Sequence, residues 1–314
     1  MSRAVGLLLQ VASLSEQSDY TLNMTHLSAI VAGLWRMADW GLDAQGLASW
    51  MHACLELGIS SMDLAEVYGG HRCQAMVGDA LQTSPGLRRE LQLITKFGIR
   101  VPGLARPEVR RHHYDASARQ LREALERALR DLRVERIDAM LIHRADLLLD
   151  ADELAACVTR LIEQGRIGAF GVSNFSPSQL EMLYARMGVV PFTNQVEANL
   201  LHLDAFEDGT MDQAVRLDMP IMAWSPLAGG RLFKEQDERS ARVIGALDRL
   251  AREYGTSRDA MAYAFLMRHP ARIHPITGSG QIERLRIAHA ALEIQLDGAS
   301  WYDLWTASKG RNLD

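Results

Sequence analysis

The stretch Ser60 to Leu81, "SSMDLAEVYGGHRCQAMVGDAL", begins as a short apolar run and ends in residues spaced for a helix, with Asp63, Glu66 and Tyr68 crowded between them. An apolar run that passes into a helix through a polar loop is the repeating unit of an α/β fold. The same order recurs after Leu27. Further runs stand at "AIVAGLW" from Ala29, "LQLIT" from Leu91, "IDAMLI" from Ile137, "IGAFGV" from Ile167, "FTNQV" from Phe192, "PIMAW" from Pro220 and "RIHPIT" from Arg272. With "GISSM" from Gly58 they make eight, most followed by helical periodicity, and predict a closed (β/α)8 TIM barrel. The alternative is an open doubly wound sheet. Its G-x-G-x-x-G fingerprint is absent, since "GLWRMADWG" from Gly33 has the wrong spacing.

The helical stretches carry their own punctuation. Leu121, Leu125, Ala128, Leu129 and Leu132 share one face between Ala118 and Leu132. Asp150 with Glu153 predicts a capping box, and Gly165 a left-handed stop. Ser176, Pro177 and Gln179 predict the next helix start. The longer connection from Gly98 to Asp115 is expected to be a loop over one mouth of the barrel.

A chain of 314 residues with 48% hydrophobic and 23% charged side chains can build one large core, and we expect a single domain over residues 1–314. The net charge of -5 gives no reason to expect a nucleic-acid partner, and the basic "RRHH", Arg110 to His113, reads as solvated loop. Cys54, Cys73 and Cys157 are too few and too scattered for a disulfide framework or a zinc site. They suggest a reducing, cytoplasmic setting. No window reaches the ~18 apolar residues of a membrane span, so no membrane partner is expected. The start "MSRAVGLLLQVASLS" imitates a signal peptide, but Gln10 interrupts the apolar run and no A-x-A site follows.

In a barrel of this kind the active site gathers at the C-terminal ends of the strands. The second run ends in Asp63, the third in Lys96, the fourth in His143 and the fifth in Ser173 and Asn174. The sixth contains Asn194 and Gln195, the seventh ends in Trp224 and Ser225, and the eighth in Thr277, Gly278 and Ser279. Any one of these has an ordinary structural explanation; seven polar ends at one mouth do not. Tyr68 has an ordinary pKa near 10, which a neighbouring Lys96 ammonium, held by Asp63, is expected to lower. His143 would polarise a carbonyl beside it. Such a group of side chains can protonate an alkoxide as it forms, and hydride delivery from a cofactor is the matching reaction. Glu66 is expected to face water. The remaining histidines lack metal spacing, so no metal site is expected.

The ordered motifs "DLAEVYGG" from Asp63, "ITKFGI" from Ile94, "LIHRAD" from Leu141, "GVSNFSP" from Gly171, "NQVEANL" from Asn194, "AWSPLAGGRLF" from Ala223 and "ITGSGQIERLR" from Ile276 closely resemble the aldo-keto reductase superfamily, and a bacterial branch of it. The resemblance implies an NAD(P)H-dependent oxidoreductase that reduces aldehyde or ketone carbonyls of small molecules. It implies Tyr68 as general acid, Lys96 and Asp63 as the groups that tune it, and His143 as the group that orients the carbonyl. Ser173, Asn174 and Gln195 would bond the nicotinamide carboxamide, Trp224 would stack on the ring, and Ser225, Leu227 and Gly229 would follow the pyrophosphate. Gly278, Ser279 and Arg284 match the 2′-phosphate site, which implies NADPH. A basic residue often stands where this chain has Gly278, so NADH is kept as a possible cofactor. The first strand matches only loosely, and Trp35 is expected near the substrate. Met1 to His26 carry no motif and would form a floor-closing hairpin or an arm. The state expected is a monomer or weak oligomer.

Other chemistries are less complete. A glycosidase built on Asp63 and Glu66 leaves Lys96 and His143 without a purpose. An aldolase using Lys96 as a Schiff base leaves the nicotinamide motifs unexplained. A sensor that binds cofactor without turnover would be expected to have lost the four catalytic groups, which are all here. Substrate choice is expected from variable loops and the C-terminal "WYDLWTASKG" from Trp301.

Overall fold

Eight parallel strands close on themselves in chain order. A computed structural model describes residues 26–103 and 105–313, so the arm or hairpin expected of residues 1–26 lies, apart from His26, outside the described residues. The barrel strands are β1 (Val31–Gly33), β2 (Ser61–Asp63), β3 (Gln92–Phe97), β6 (Ile137–Ile142), β7 (Ile167–Ser173), β8 (Asn194–Glu197), β9 (Ile221–Trp224) and β10 (Ile273–Thr277). Between β3 and β6, β4 (Ile99–Arg100) and β5 (His113–Tyr114) pair antiparallel. β1 pairs with both β2 and β10, which closes the ring. All eight apolar runs of the sequence are barrel strands.

Strand periodicity divides their side chains into two sets, as alternation requires. Val31, Ile94, Ala139, Leu141, Met222 and Ile276 form one buried cluster, the filling of the barrel itself. Met62, Leu93, Phe97, Met140, Ile142, Phe170, Val172, Ile221 and Ala223 belong to the larger cluster, shared with the surrounding helices. Gly171 has to be glycine, because a Cβ there would meet Leu141 Cδ2 at 2.7 Å and the Thr193 carbonyl at 2.9 Å.

The helices start where the sequence punctuates them. Ser176 caps the helix Pro177–Met187 in a full capping box with Gln179. Asp150 caps Ala151–Glu163 by accepting from the Glu153 N–H, without the reciprocal side-chain bond that a capping box needs. The predicted helix over Ala118–Leu132 is present, with Ser117 as its cap.

The loop expectation changes. The connection after β3 is no open loop: β4 and β5 zip its base, and the Asp115 N–H donates to the Gly98 carbonyl at 2.9 Å. The Ala116 N–H then donates to Asp146 on the loop after β6. The C-terminal aromatics form a packing cluster, with Trp301 stacked 4.8 Å from Phe265 and 5.4 Å from Trp305, and with the indole N–H donating to the Phe265 carbonyl. Among the described residues no helix is long and apolar enough to cross a membrane.

Candidate active site

The inward set of side chains continues to the mouth, two residues at a time. Beyond Ile94 comes Lys96, beyond Leu141 comes His143, and beyond Met222 comes Trp224. By the same alternation Asp63 follows Ser61 and Ser173 follows Gly171. Register aligns these ends, pairing Gly33 with Asp63, Lys96 with Leu141, Ser173 with Gln195 and Glu197 with Trp224.

Lys96 is wholly buried, and each of its three N–H donors has a partner. Nζ donates to Asp63 Oδ2 at 2.8 Å, to the Leu64 carbonyl at 2.8 Å and to the Tyr68 hydroxyl at 3.0 Å. Tyr68 therefore accepts from the ammonium, and its own O–H has to point elsewhere. Asp63 is steadied from the opposite side by Gln195 Nε2, which donates to Oδ1 at 2.8 Å.

Burial is the dominant electrostatic influence here. It raises the Tyr68 phenol well above its ordinary value, the Asp63 carboxylate adding to the rise and Arg144 opposing it. The expectation that Lys96 would lower the phenol is overturned, because desolvation penalises phenolate more than nearby positive charge favours it. The phenol of the free protein is thus held protonated. Lys96 is itself lowered by burial, with Asp63 opposing. His143 is lowered well below its usual range by burial, with help from Lys96 and Arg144, so it is neutral at pH 7. Its ring stands edge-on to Tyr68 with centroids 5.8 Å apart, and its Nδ1 is buried without a partner among the described residues.

A second group of bonds joins the ends of β6, β7, β8 and β9. The Ser173 hydroxyl donates to the Gln195 carbonyl at 2.8 Å. Asn174, in a left-handed conformation with φ 58, donates to Ser173 Oγ at 2.8 Å and to the His143 carbonyl at 3.2 Å. Its Oδ1 accepts from the Trp224 indole at 3.0 Å. Asn194 turns instead into the loop after Ser173, exchanging bonds with the backbone of Phe175.

The loop after β9 turns sharply, with positive φ at Ser225, Ala228, Gly229 and Gly230. The Ala228 N–H donates to the Ser225 carbonyl and the Gly230 N–H to the Leu227 carbonyl. After β10, exposed Gly278 leads to Ser279, whose hydroxyl accepts from the Gln281 N–H. The helix Ile282–Ala290 starts there with no side-chain cap. Arg284 is exposed, and its guanidinium has no ion pair among the described residues. Open helix N–H groups, a hydroxyl and a free guanidinium make a donor set suited to a phosphate. No side-chain bond joins Gly278, Ser279 or Arg284 to the network around Tyr68.

Glu66 does not face water. It is 3% exposed, and its Oε2 accepts from Arg127 of the helix Ala118–Leu132 at 3.1 Å. Trp35 is 58% exposed, with the Arg36 guanidinium 5.1 Å from its ring centroid. Sequence reasoning also passed over Arg144, the residue after His143.

Among the described residues no cluster of three or more His, Cys, Asp or Glu could hold a metal ion. Comparison with known proteins gives a match to the model of the Aldo/keto reductase family over residues 29–307. An uncharacterised oxidoreductase of Bacillus subtilis, YcsN, is 39% identical, covering 91% of this chain and 96% of that protein. A 6-dehydroglucose reductase of Agrobacterium fabrum is 38% identical, again covering 91% of this chain and 96% of that protein. Among solved structures, a glycerol dehydrogenase of Gluconobacter oxydans superposes with a TM-score of 0.78 at 24% identity, covering 92% of this chain and 94% of that one. An aldo/keto reductase of Klebsiella pneumoniae in complex with NADP and acetate gives 0.70 at 24% identity, covering 88% and 90%. These two speak for the fold.

Proposed function

Because the chain belongs to the aldo/keto reductase family and is an oxidoreductase, we propose that it reduces aldehyde or ketone carbonyls with NADPH, Tyr68 supplying the proton. The observation that carries this is the three-way engagement of Lys96. A phenol that accepts from an ammonium offers its own hydrogen outward, and a phenol raised by burial keeps that hydrogen at neutral pH. The reduced nicotinamide, when bound, supplies the hydride.

The chain's own residues do the rest. Tyr68 Oη donates to the carbonyl oxygen and gives up its proton as charge develops there. The Lys96 bond to Oη strengthens as phenolate forms, so the cation acts on the transition state more than on the resting site. Neutral His143 offers a ring N–H to the same oxygen without repelling a cationic nicotinamide. Ser173, Asn174 and Gln195 are candidates to hold the carboxamide, and Trp224 to stack on the ring. Ser225, Leu227 and Gly229 are assigned to the pyrophosphate, and Gly278, Ser279 and Arg284 to the 2′-phosphate. That last donor set favours NADPH, since only the phosphorylated cofactor brings an anion to it.

Relatives that include 6-dehydroglucose reductases at 38% identity support a small, soluble carbonyl substrate. The test is consumption of NADPH with a panel of aldehydes, ketones and quinones, followed at the nicotinamide absorbance. Steady turnover that requires Tyr68 is expected. Tight NADPH binding with no consumption of cofactor by any carbonyl would favour a sensor and sink the proposal.

A further inference from the structure

The rim of the site carries a charge that the chemistry above does not use. Arg144 directly follows His143 after β6 and is half-buried. Its guanidinium carbon lies 5.9 Å from the centroid of the Trp224 ring. In the order of the barrel, β7 and β8 lie between β6 and β9, and the Trp224 indole, which bonds Asn174 after β7, meets the guanidinium over the mouth in which Ser173 and Gln195 stand. Among the described residues Arg144 has no hydrogen bond and no ion pair.

Nearby carboxylates are engaged elsewhere. Asp63 holds Lys96 and Gln195. Asp146 accepts from the Ala116 and Leu148 N–H groups, and Glu197 from the Asn199 amide. A guanidinium remains charged and cannot relieve its partial desolvation by losing a proton. Its field is felt by both groups that would face a substrate, opposing the rise of Tyr68 and helping to depress His143. A planar guanidinium beside a reacting centre, left without a protein anion, is the donor best matched to a carboxylate or phosphate through paired N–H bonds.

We propose that Arg144 is a specificity-determining residue that binds an anionic group of the substrate, a carboxylate or phosphate carried a few bonds from the carbonyl. This rests on the reductase reading of the Tyr68 site. The cofactor's phosphates have separate candidates after β9 and β10, on strands that do not neighbour β6, which leaves Arg144 for the substrate.

The test compares the parent chain with Arg144→Gln and Arg144→Lys on two matched pairs: succinate semialdehyde with its methyl ester, and glyceraldehyde phosphate with glyceraldehyde. In each pair the chain is kept and only the anion is removed. Expected for at least one pair is a fall of about tenfold or more in the charged-to-neutral ratio of kcat/KM in Arg144→Gln, carried mainly by KM. Arg144→Lys should recover part of it. The NADPH dissociation constant should stay within about threefold of the parent, and any change in turnover that follows from losing the field at Tyr68 and His143 falls on both members of a pair and cancels in the ratio. The pair that responds distinguishes carboxylate from phosphate. An unchanged ratio in both pairs overturns the proposal, and so does a loss of NADPH affinity as large as the loss of ratio, which would assign Arg144 to the cofactor. Calorimetric titration of the same aldehydes into protein saturated with NADP+ needs no turnover. If the parent reduces no carbonyl, the reductase reading fails on that result alone. Weaker binding of the charged aldehyde by Arg144→Gln would then still uphold the anion site, and equal binding would overturn it.

Discussion

Asp63 and Glu66 stand on the same turn, are both 3% exposed and each pairs with one cation, yet they do different work. Asp63 lies in the inward set and holds Lys96 at 2.8 Å, and Lys96 passes that hold to the Tyr68 hydroxyl. Glu66 is turned the other way. It meets Arg127 on the helix Ala118–Leu132, whose Nη1 lies 3.9 Å from Glu123 Oε2, so the chain of charges runs outward along that helix, with Glu66 Oε1 and Arg127 Nε unpartnered among the described residues. Burial and ion pairing are therefore the same signal in both places. What separates them is whether the cation has a donor left for a group that faces the mouth.

The largest effect should come from cutting the inward chain at its end. Tyr68→Phe keeps the ring and removes the proton donor, and kcat and kcat/KM should both fall by about 10²–10⁴, with NADPH affinity retained. A Tyr68→Phe protein that turns over near the parent rate breaks the comparison, since both pairs would then be structural. Lys96→Met should slow reduction as well. It leaves Asp63 buried without a cation, at a cost of about 3–5 kcal/mol, so its rate has to be read beside a thermal melt.

The same chain of groups fixes a pH dependence. Because burial raises the Tyr68 phenol, the protonated, donating form is fully populated at neutral pH and is lost only as pH climbs through the raised value. The rate of reduction should stay level from neutrality to the alkaline edge of the protein's stable range. Alcohol oxidation, which needs the phenolate, should rise across that interval. A fall in reduction near neutrality that disappears in Tyr68→Phe would show the phenol lowered after all.

A smaller effect is expected where charges wait for a partner from outside. Arg284 is exposed and unpaired, so Arg284→Ala should cost the fold little. It should remove most of a preference for NADPH over NADH of roughly ten- to a hundredfold, the ~1.5–3 kcal/mol of one charged contact to phosphate. Equal dissociation constants for the two cofactors in the parent would end that assignment.

How much of this could be read beforehand follows from the same geometry. Asp63, Lys96, His143 and Trp224 were legible because an apolar strand ending in a polar residue is a local pattern, and barrel closure brings every such end to one mouth. Glu66 was not, because Arg127 lies 61 residues along the chain, on a helix face that carries no mark of it. The hairpin of β4 and β5 escaped for another reason: the two-residue strands Ile99–Arg100 and His113–Tyr114 are too short to show an apolar alternation. The pH behaviour of Tyr68 was misjudged because the sequence names its charged neighbour but not the depth at which the pair is buried. Arg144 reads as one more polar loop residue until the engagement of Asp146 and Glu197 elsewhere shows that nothing pairs with it.

The least effect on the reaction should come from Glu66→Gln, and it is the sharpest test of the comparison because the side chain keeps its shape and loses only charge. Arg127 is 16% exposed in its side chain and would face a neutral amide in place of its anion. A hydrogen bond to a charged group contributes about 1.5–3 kcal/mol, and Gln keeps an oxygen for part of it, so a loss of ~1–2 kcal/mol in stability is expected. Turnover at saturating cofactor and substrate should remain within about threefold of the parent, because among the described residues no side-chain bond runs from Glu66 or Arg127 to Tyr68, Lys96 or His143, and the bond from the Glu66 N–H to the Lys96 carbonyl is untouched by the change. Combining Glu66→Gln with Arg127→Leu should destabilise by less than the two single changes together, since the second removes the charge that the first left with Glu123 alone. The opposite pattern, with an unchanged melting temperature and a kcat as low as that of Lys96→Met, would mean that the outward pair holds the Tyr68 turn in its reactive position, and the two halves of the turn would have to be counted as one site.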